Sequence, residues 1–209
     1  MERLWLLALP AVAAVVATRT NLLPFKMAVP LLCAAALLFF LDPGSAATRP
    51  SNQGLVVTAF GLSAAGDFFL SRKEGRPGYF VTGIAMYFAV HLGYLGFAVS
   101  NGTPSVPVLA VALAASIWYY LRMLRPAIPD RVLSTAVLLY LIVSCTALGA
   151  AAGLGWTRLP GALFVAGIAL IVVSDTAISL VEFVHARGAV WVILPTYYLA
   201  LLAITAALL

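Results

Sequence analysis

The sequence predicts an all-helical, polytopic membrane protein of eight transmembrane helices, and three observations carry that expectation. Hydrophobic residues make up 64% of the 209 residues and charged residues only 9%, against roughly 25% charged in an ordinary soluble domain. The mean hydropathy is +1.08. The apolar runs are continuous and long, whereas the strands of a membrane barrel alternate over about 10 residues. A hydrocarbon core of about 30 Å needs roughly 20 apolar residues per crossing, so the chain has room for eight spans and is expected to form a single membrane domain over residues 1–209.

The spans fall at 4–18, 22–41, 55–71, 80–99, 106–121, 132–153, 162–184 and 190–208. The first has the basic start and small residues of a secretory signal, but its apolar run is long enough to cross and is read as a helix. Lys26 follows Pro24 and precedes Pro30 in the second, which points to a bend there. Cys33 and Cys145 both fall inside apolar runs, where cysteine behaves as a small hydrophobe.

Orientation follows from the basic residues between spans. Arg3, Arg49 and Arg158 mark the N-terminus and the even-numbered loops. Arg19, Arg72, Lys73, Arg76, Arg122, Arg125, Arg131 and Arg187 mark the odd-numbered ones. This places the odd loops in the cytoplasm and both termini outside it, in what is expected to be a bacterial cytoplasmic membrane. The formal charge of +5 thus reports topology. No basic stripe interleaved with aromatics points to nucleic acid.

With that orientation, a rise of 1.5 Å per residue puts Lys26 and Asp67 about 6 Å from the cytoplasmic end of their spans, Asp175 about 13 Å and His91 about 16 Å. Tyr87, Glu182, Tyr197 and Tyr198 share that half. Helices running in alternating directions therefore bring polar side chains to one leaflet, which predicts a cavity lined by spans 2, 3, 4, 7 and 8.

Asp67, in GLSAAGDFFL, costs about 2.5–3.5 kcal/mol to insert and should face the bundle interior, with Ser63 one turn before it. The competing reading is a shallow aspartate paired with Arg72 or Lys73. Asp175, after Ser174, is preceded by seven apolar or small residues, with Glu182 two turns on along the same face. An ion pair between Asp175 and Lys26 is its structural alternative. Phe80, Gly83, Tyr87, His91 and Tyr94 form one stripe of the fourth span; such stripes usually pack, but His and Tyr need hydrogen-bond partners in lipid. Lys26 either snorkels to the interface or meets a lipid phosphate there, and the two are compatible.

Two Asp, a Glu and one intramembrane His are a poor zinc set, since hydrolase sites supply two or three histidines, and His185 falls in a loop. No metal or cofactor is expected. Gly149 and Gly153 form a GxxxG that indicates close helix packing, and small-residue faces permit a homodimer. Asp67 and Glu74 are seven apart, as are Asp175 and Glu182, a faint sign of a four-plus-four duplication.

GLSAAGDFFL, the stripe F-x2-G-x3-Y-x3-H-x2-Y from Phe80, G-x6-SD-x7-F from Gly167 to Phe183, and TYYLA from Thr196 together resemble the YhhN-type lysoplasmalogenase family over residues 26 to about 200. The chain departs from the family at Met27, often Pro, and at Leu201, often Gln. The resemblance implies an eight-helix membrane ether hydrolase that cleaves the vinyl ether of lysoplasmalogens to a fatty aldehyde and a glycerophospho-amine alcohol. Its partners would be the lysophospholipid substrate and membrane lipids.

That reaction needs a proton for carbon, a base for water and a negative charge beside the oxocarbenium ion. Asp67 and Asp175 can supply the set. Depth makes Asp175 the proton donor and Asp67 the ionised partner, but a close lysine favours the ionised form of whichever carboxylate it meets, so Lys26 beside Asp175 would exchange them. Lys26, Ser63, Tyr87, His91, Tyr94, Ser174, Glu182, Tyr197 and Tyr198 are the expected substrate-binding residues. Two other classes use the same residues: a proton-coupled transporter with Asp67 and Asp175 as a relay, and a non-catalytic lipid-binding protein.

Overall fold

The computed structural model describes residues 4–39, 52–155 and 158–209, and Arg3, Arg49 and the end of the expected second span lie outside them. Among the described residues the chain is helical throughout, with no strands. A short 3-10 turn, Leu4–Leu7, leads into α1 (Ala8–Thr20), which stops at Asn21. Asn21 takes a left-handed conformation (φ 57°) and its N–H caps the Ala17 carbonyl at 2.8 Å. Helix α2 (Leu23–Phe39) carries Pro24 in its first turn and Pro30 inside it.

The next helices are α3 (Gln53–Ser71), α4 (Pro77–Asn101) and α5 (Val106–Tyr119). Helix α5 continues through a π-helical turn, Tyr120–Leu124, and one short α-turn, Arg125–Ala127. Arg122 and Arg125 therefore sit on a helical extension instead of a loop. Helix α6 (Arg131–Ala152) starts at Asp130, whose carboxylate accepts the Leu133 N–H at 2.6 Å. The last two are α7 (Leu159–Phe183) and α8 (Val190–Leu208).

The observed helices follow the expected spans closely. Starts at Gln53, Pro77 and Leu159 instead of 55, 80 and 162 share a cause. First-turn N–H groups have no intrahelical acceptor, so proline and polar residues are accommodated ahead of the apolar run.

Six helices are long and apolar enough to cross a membrane: α3, α4, α5 with its extension, α6, α7, and α8 with the turn before it. The chain is a multi-pass membrane protein. Leu4–Thr20 and α2 are shorter apolar helices. Large apolar side chains such as Leu9, Val111, Val132 and Trp191 point outward, as a surface bathed in lipid tails requires.

Packing runs in a closed circuit, α2 on α3, α3 on α4, α4 on α6, α6 on α7, α7 on α8 and α8 back on α2. Helix α1 lies outside this ring against α2 and α8, and α5 lies outside it against α6. Gly149 uses its missing side chain here: a Cβ would come within 2.7 Å of Leu109 on α5. The GxxxG face therefore serves a contact within the chain. Both cysteines are buried and unpaired in the core.

The circuit explains why polar residues far apart in sequence share one end. The first turn of α2, the last turns of α3 and α7, and the early turns of α4 and α8 all lie there, since helices consecutive in sequence run in opposite directions.

Candidate active site

Asp67 is buried in the last part of α3. Tyr87 of α4 donates to its Oδ1 at 2.5 Å and Tyr197 of α8 to its Oδ2 at 3.4 Å. The two phenol rings meet edge to face, with centroids 6.0 Å apart. Gly66 makes the short contact possible, because a Cβ there would stand 2.7 Å from the Tyr87 ring. Among the described residues Asp67 pairs with neither Arg72 nor Lys73. The shallow, snorkelling alternative does not hold.

Asp175 sits two turns before the end of α7. Its Oδ2 takes two donors, His91 Nε2 of α4 at 2.8 Å and the Tyr140 hydroxyl of α6 at 2.8 Å. His91 is fully buried and its ring meets that of Tyr140 edge to face, centroids 5.2 Å apart. Lys26 does not pair with Asp175. Its Nζ lies 3.4 Å from Ser71 Oγ and within electrostatic reach of Asp67.

Both aspartates line one cavity of about 250 Å³ bordered by residues of α2, α3, α4, α7 and α8. Of the expected residues, Lys26, Tyr87, Ser174, Glu182 and Tyr197 line it too. Ser174 also ties α7 to α8 through the Ile193 carbonyl at 3.1 Å.

Ser63, His91, Tyr94 and Tyr198 are buried outside the cavity lining. His91 reaches the site through Asp175. The other three occupy core positions: Ser63 lies beside the Tyr94 and Tyr197 hydroxyls but makes no hydrogen bond of normal geometry to them. Among the described residues Ser63 Oγ, His91 Nδ1, Tyr94 OH and Tyr198 OH have no partner.

Depth along the helix misjudged exposure. Asp175, the deeper residue, keeps partial exposure while Asp67 is buried. Asp175 also borders two further cavities. One of about 70 Å³ has an apolar lining from α3, α4, α6 and α7, and one of about 390 Å³ lies between α5, α6 and α7. These lateral openings, invisible to an axial count, expose it. Of the two seven-residue pairs, Glu182 is helical whereas Glu74 lies in the turn after α3.

Two residues escaped the sequence reading. Tyr140 is embedded in LLYLIV, and its signal was the need of any intramembrane phenol for a partner. Lys73 was read as a loop charge; it forms an ion pair with Glu182. Among the described residues no three His, Cys, Asp or Glu side chains converge as metal ligands. The site offers two carboxylates, each hydrogen-bonded and set in one cavity, an arrangement able to donate and accept protons.

The chain belongs to the YhhN family, whose pattern it matches over residues 7–208. No curated protein and no solved structure matches it.

Proposed function

We propose that the protein is a lysoplasmalogenase, hydrolysing the vinyl ether of 1-alkenyl lysophospholipids to a fatty aldehyde and a glycerophospho-amine alcohol. The observation that carries this reading is that Asp67 and Asp175, on different helices, line one cavity with a lysine at its edge. Family membership is consistent with it.

The hydrogen bonds support an exchange of the roles that depth alone assigned. Both donors to Asp175 converge on Oδ2, so Oδ1 is the oxygen that takes a proton from water. At Asp67 the short bond falls on Oδ1 and the long one on Oδ2, so Oδ2 is the oxygen that takes up the proton delivered to carbon, with the Tyr197 hydroxyl no longer donating to it in that state. Protonation of the alkenyl carbon by Asp67 gives an oxocarbenium ion, and water adds to it as Asp175 takes its proton. The hemiacetal collapses to aldehyde and alcohol as Asp175 returns that proton to the departing glycerol oxygen and Asp67 takes the hemiacetal hydroxyl proton, which restores both carboxyls. His91 and Tyr140 hold Asp175 in place.

We further propose eight crossings in one membrane domain of a bacterial cytoplasmic membrane, with both termini outside the cytoplasm. Leu4–Thr20 and the 17-residue α2 reach the short end of the length that spans a bilayer, about 17 residues. The basic residues set the direction.

The test is purified protein in detergent micelles, given an alkenyl lysolipid and its saturated alkyl analogue. Aldehyde released from the alkenyl lipid alone is expected. No gradient exists in micelles, so turnover also separates an enzyme from a proton-coupled carrier, and absence of aldehyde overturns the reading.

A further inference from the structure

One charged pair at the cavity is not used by the acid and base. Lys73, between α3 and α4, bonds Glu182 near the end of α7, and the two side chains are 29% and 25% exposed. The Lys73 ammonium also lies 5.3 Å from the centre of the Phe80 ring, which meets Phe183 edge to face. Lys26, Lys73 and Glu182 all line the cavity that holds Asp67 and Asp175. A partly exposed ion pair contributes little to stability. Its position at the cavity is the more informative fact.

Charge bookkeeping selects the ligand. A phosphate placed against Lys73 and Lys26 displaces Glu182, which is then left next to a new negative charge. A ligand that brings its own ammonium satisfies Glu182 at the same moment, so the carboxylate is not left beside an uncompensated negative charge. A bare phosphate monoester leaves the carboxylate unpaired. A neutral headgroup cannot replace either partner.

Distance agrees. Glu182 is seven residues beyond Asp175, about 10.5 Å along the helix axis. From the ether oxygen of a glycerophosphoethanolamine to its nitrogen there are nine bonds, and an extended chain covers about 3.5 Å per three bonds, hence about 10.5 Å. An ether oxygen at Asp175 puts the ammonium at Glu182.

We propose that the Lys73–Glu182 pair opens to receive a zwitterionic phospho-amine headgroup, the phosphate going to Lys73 and Lys26 and the ammonium to Glu182. This rests on Asp67 and Asp175 being the reacting carboxylates. The pair is then the specificity determinant of the site.

Two 1-alkenyl lysolipids of equal chain length test it, one with a phosphoethanolamine headgroup and one with a bare phosphate. The wild type is expected to favour the zwitterion in kcat/KM. Glu182→Gln is expected to reduce that ratio about tenfold, the scale of one charge-assisted hydrogen bond, chiefly through KM. The double variant Lys73→Glu, Glu182→Lys restores an ion pair and its thermal stability but not the ratio, which a purely structural pair would recover. Equal loss with both lipids in Glu182→Gln, or recovery of the ratio in the double variant, overturns the proposal. If neither lipid is cleaved, the hydrolysis reading falls, and thermal stabilisation by the saturated alkyl analogues decides the headgroup site. Greater stabilisation by the zwitterion, lost in Glu182→Gln, supports it; equal stabilisation by both overturns it.

Discussion

The two aspartates line one cavity from different helices and are built differently. Asp67 is enclosed between α3, α4 and α8, with a phenol on each oxygen and a glycine beneath the tighter of the two. Asp175 is fixed through a single oxygen by His91 and Tyr140 and borders three cavities. One carboxyl is caged and the other is tethered with a free oxygen. A reaction that delivers a proton to carbon and takes one from water needs that inequality, since two equivalent carboxylates would compete for one role.

The largest effects should come from the carboxylates themselves. Asp67→Asn and Asp175→Asn preserve shape and remove ionisation, and each is expected to lower kcat by about 10² to 10⁴. Near-normal turnover in either breaks the comparison at its root. The alanine variants sharpen it. Small carboxylates such as formate should restore part of the activity of Asp175→Ala, whose site opens on three sides, and none of that of Asp67→Ala. Equal rescue of both would show that the enclosure of Asp67 has no functional meaning.

Next in size are the donors. Tyr140→Phe removes one of two bonds to Asp175 Oδ2, and Tyr87→Phe removes the 2.5 Å bond to Asp67. A hydrogen bond to a charged group is worth about 1.5–3 kcal/mol and one to a neutral group about 0.5–1.5 kcal/mol. Tyr140→Phe, at the ionised carboxylate, is therefore expected to lose roughly 10- to 150-fold in kcat and Tyr87→Phe, at the protonated one, roughly 2- to 13-fold. Gly66→Ala should reproduce the Tyr87→Phe loss without touching a polar atom, because the new Cβ would stand 2.7 Å from the ring and push it off Asp67. Unchanged kinetics in Gly66→Ala would separate the phenol's position from catalysis.

Much of this site was legible in the sequence because apolar helices of alternating direction leave few ways to place an intramembrane charge. The apolar runs located the helices, and the basic loops put Lys26, Asp67, Asp175 and Tyr197 at one end. What sequence could not supply was lateral arrangement. Axial rise gives depth but not neighbours, so it ranked Asp175 as the more enclosed carboxyl when the gaps beside α6 and α5 expose it. The same blindness hid Tyr140, on a helix not expected at the site, and could not separate Tyr94 and Tyr198, which lie outside the cavity lining, from Tyr87 and Tyr197, which are part of it.

The smallest effect is expected at Tyr94, where stripe and structure disagree most. Tyr94 is fully buried against Phe60 and Phe164, and its hydroxyl lacks a partner among the described residues. A buried hydroxyl without a hydrogen bond costs about 1–3 kcal/mol of desolvation. Removing it keeps the ring and its edge contacts. Tyr94→Phe is therefore expected to keep kcat and KM within about twofold of wild type and to leave Tm unchanged or raise it by a few degrees, the shift that about 1 kcal/mol produces in a protein of this size. Thermal unfolding in micelles beside the aldehyde assay checks both at once. A fall in kcat comparable to that of Tyr140→Phe would move Tyr94 back into the acid–base machinery, and with it the division of labour between a caged and a tethered carboxyl would have to include the Ser63 hydroxyl that lies between Tyr94 and Tyr197.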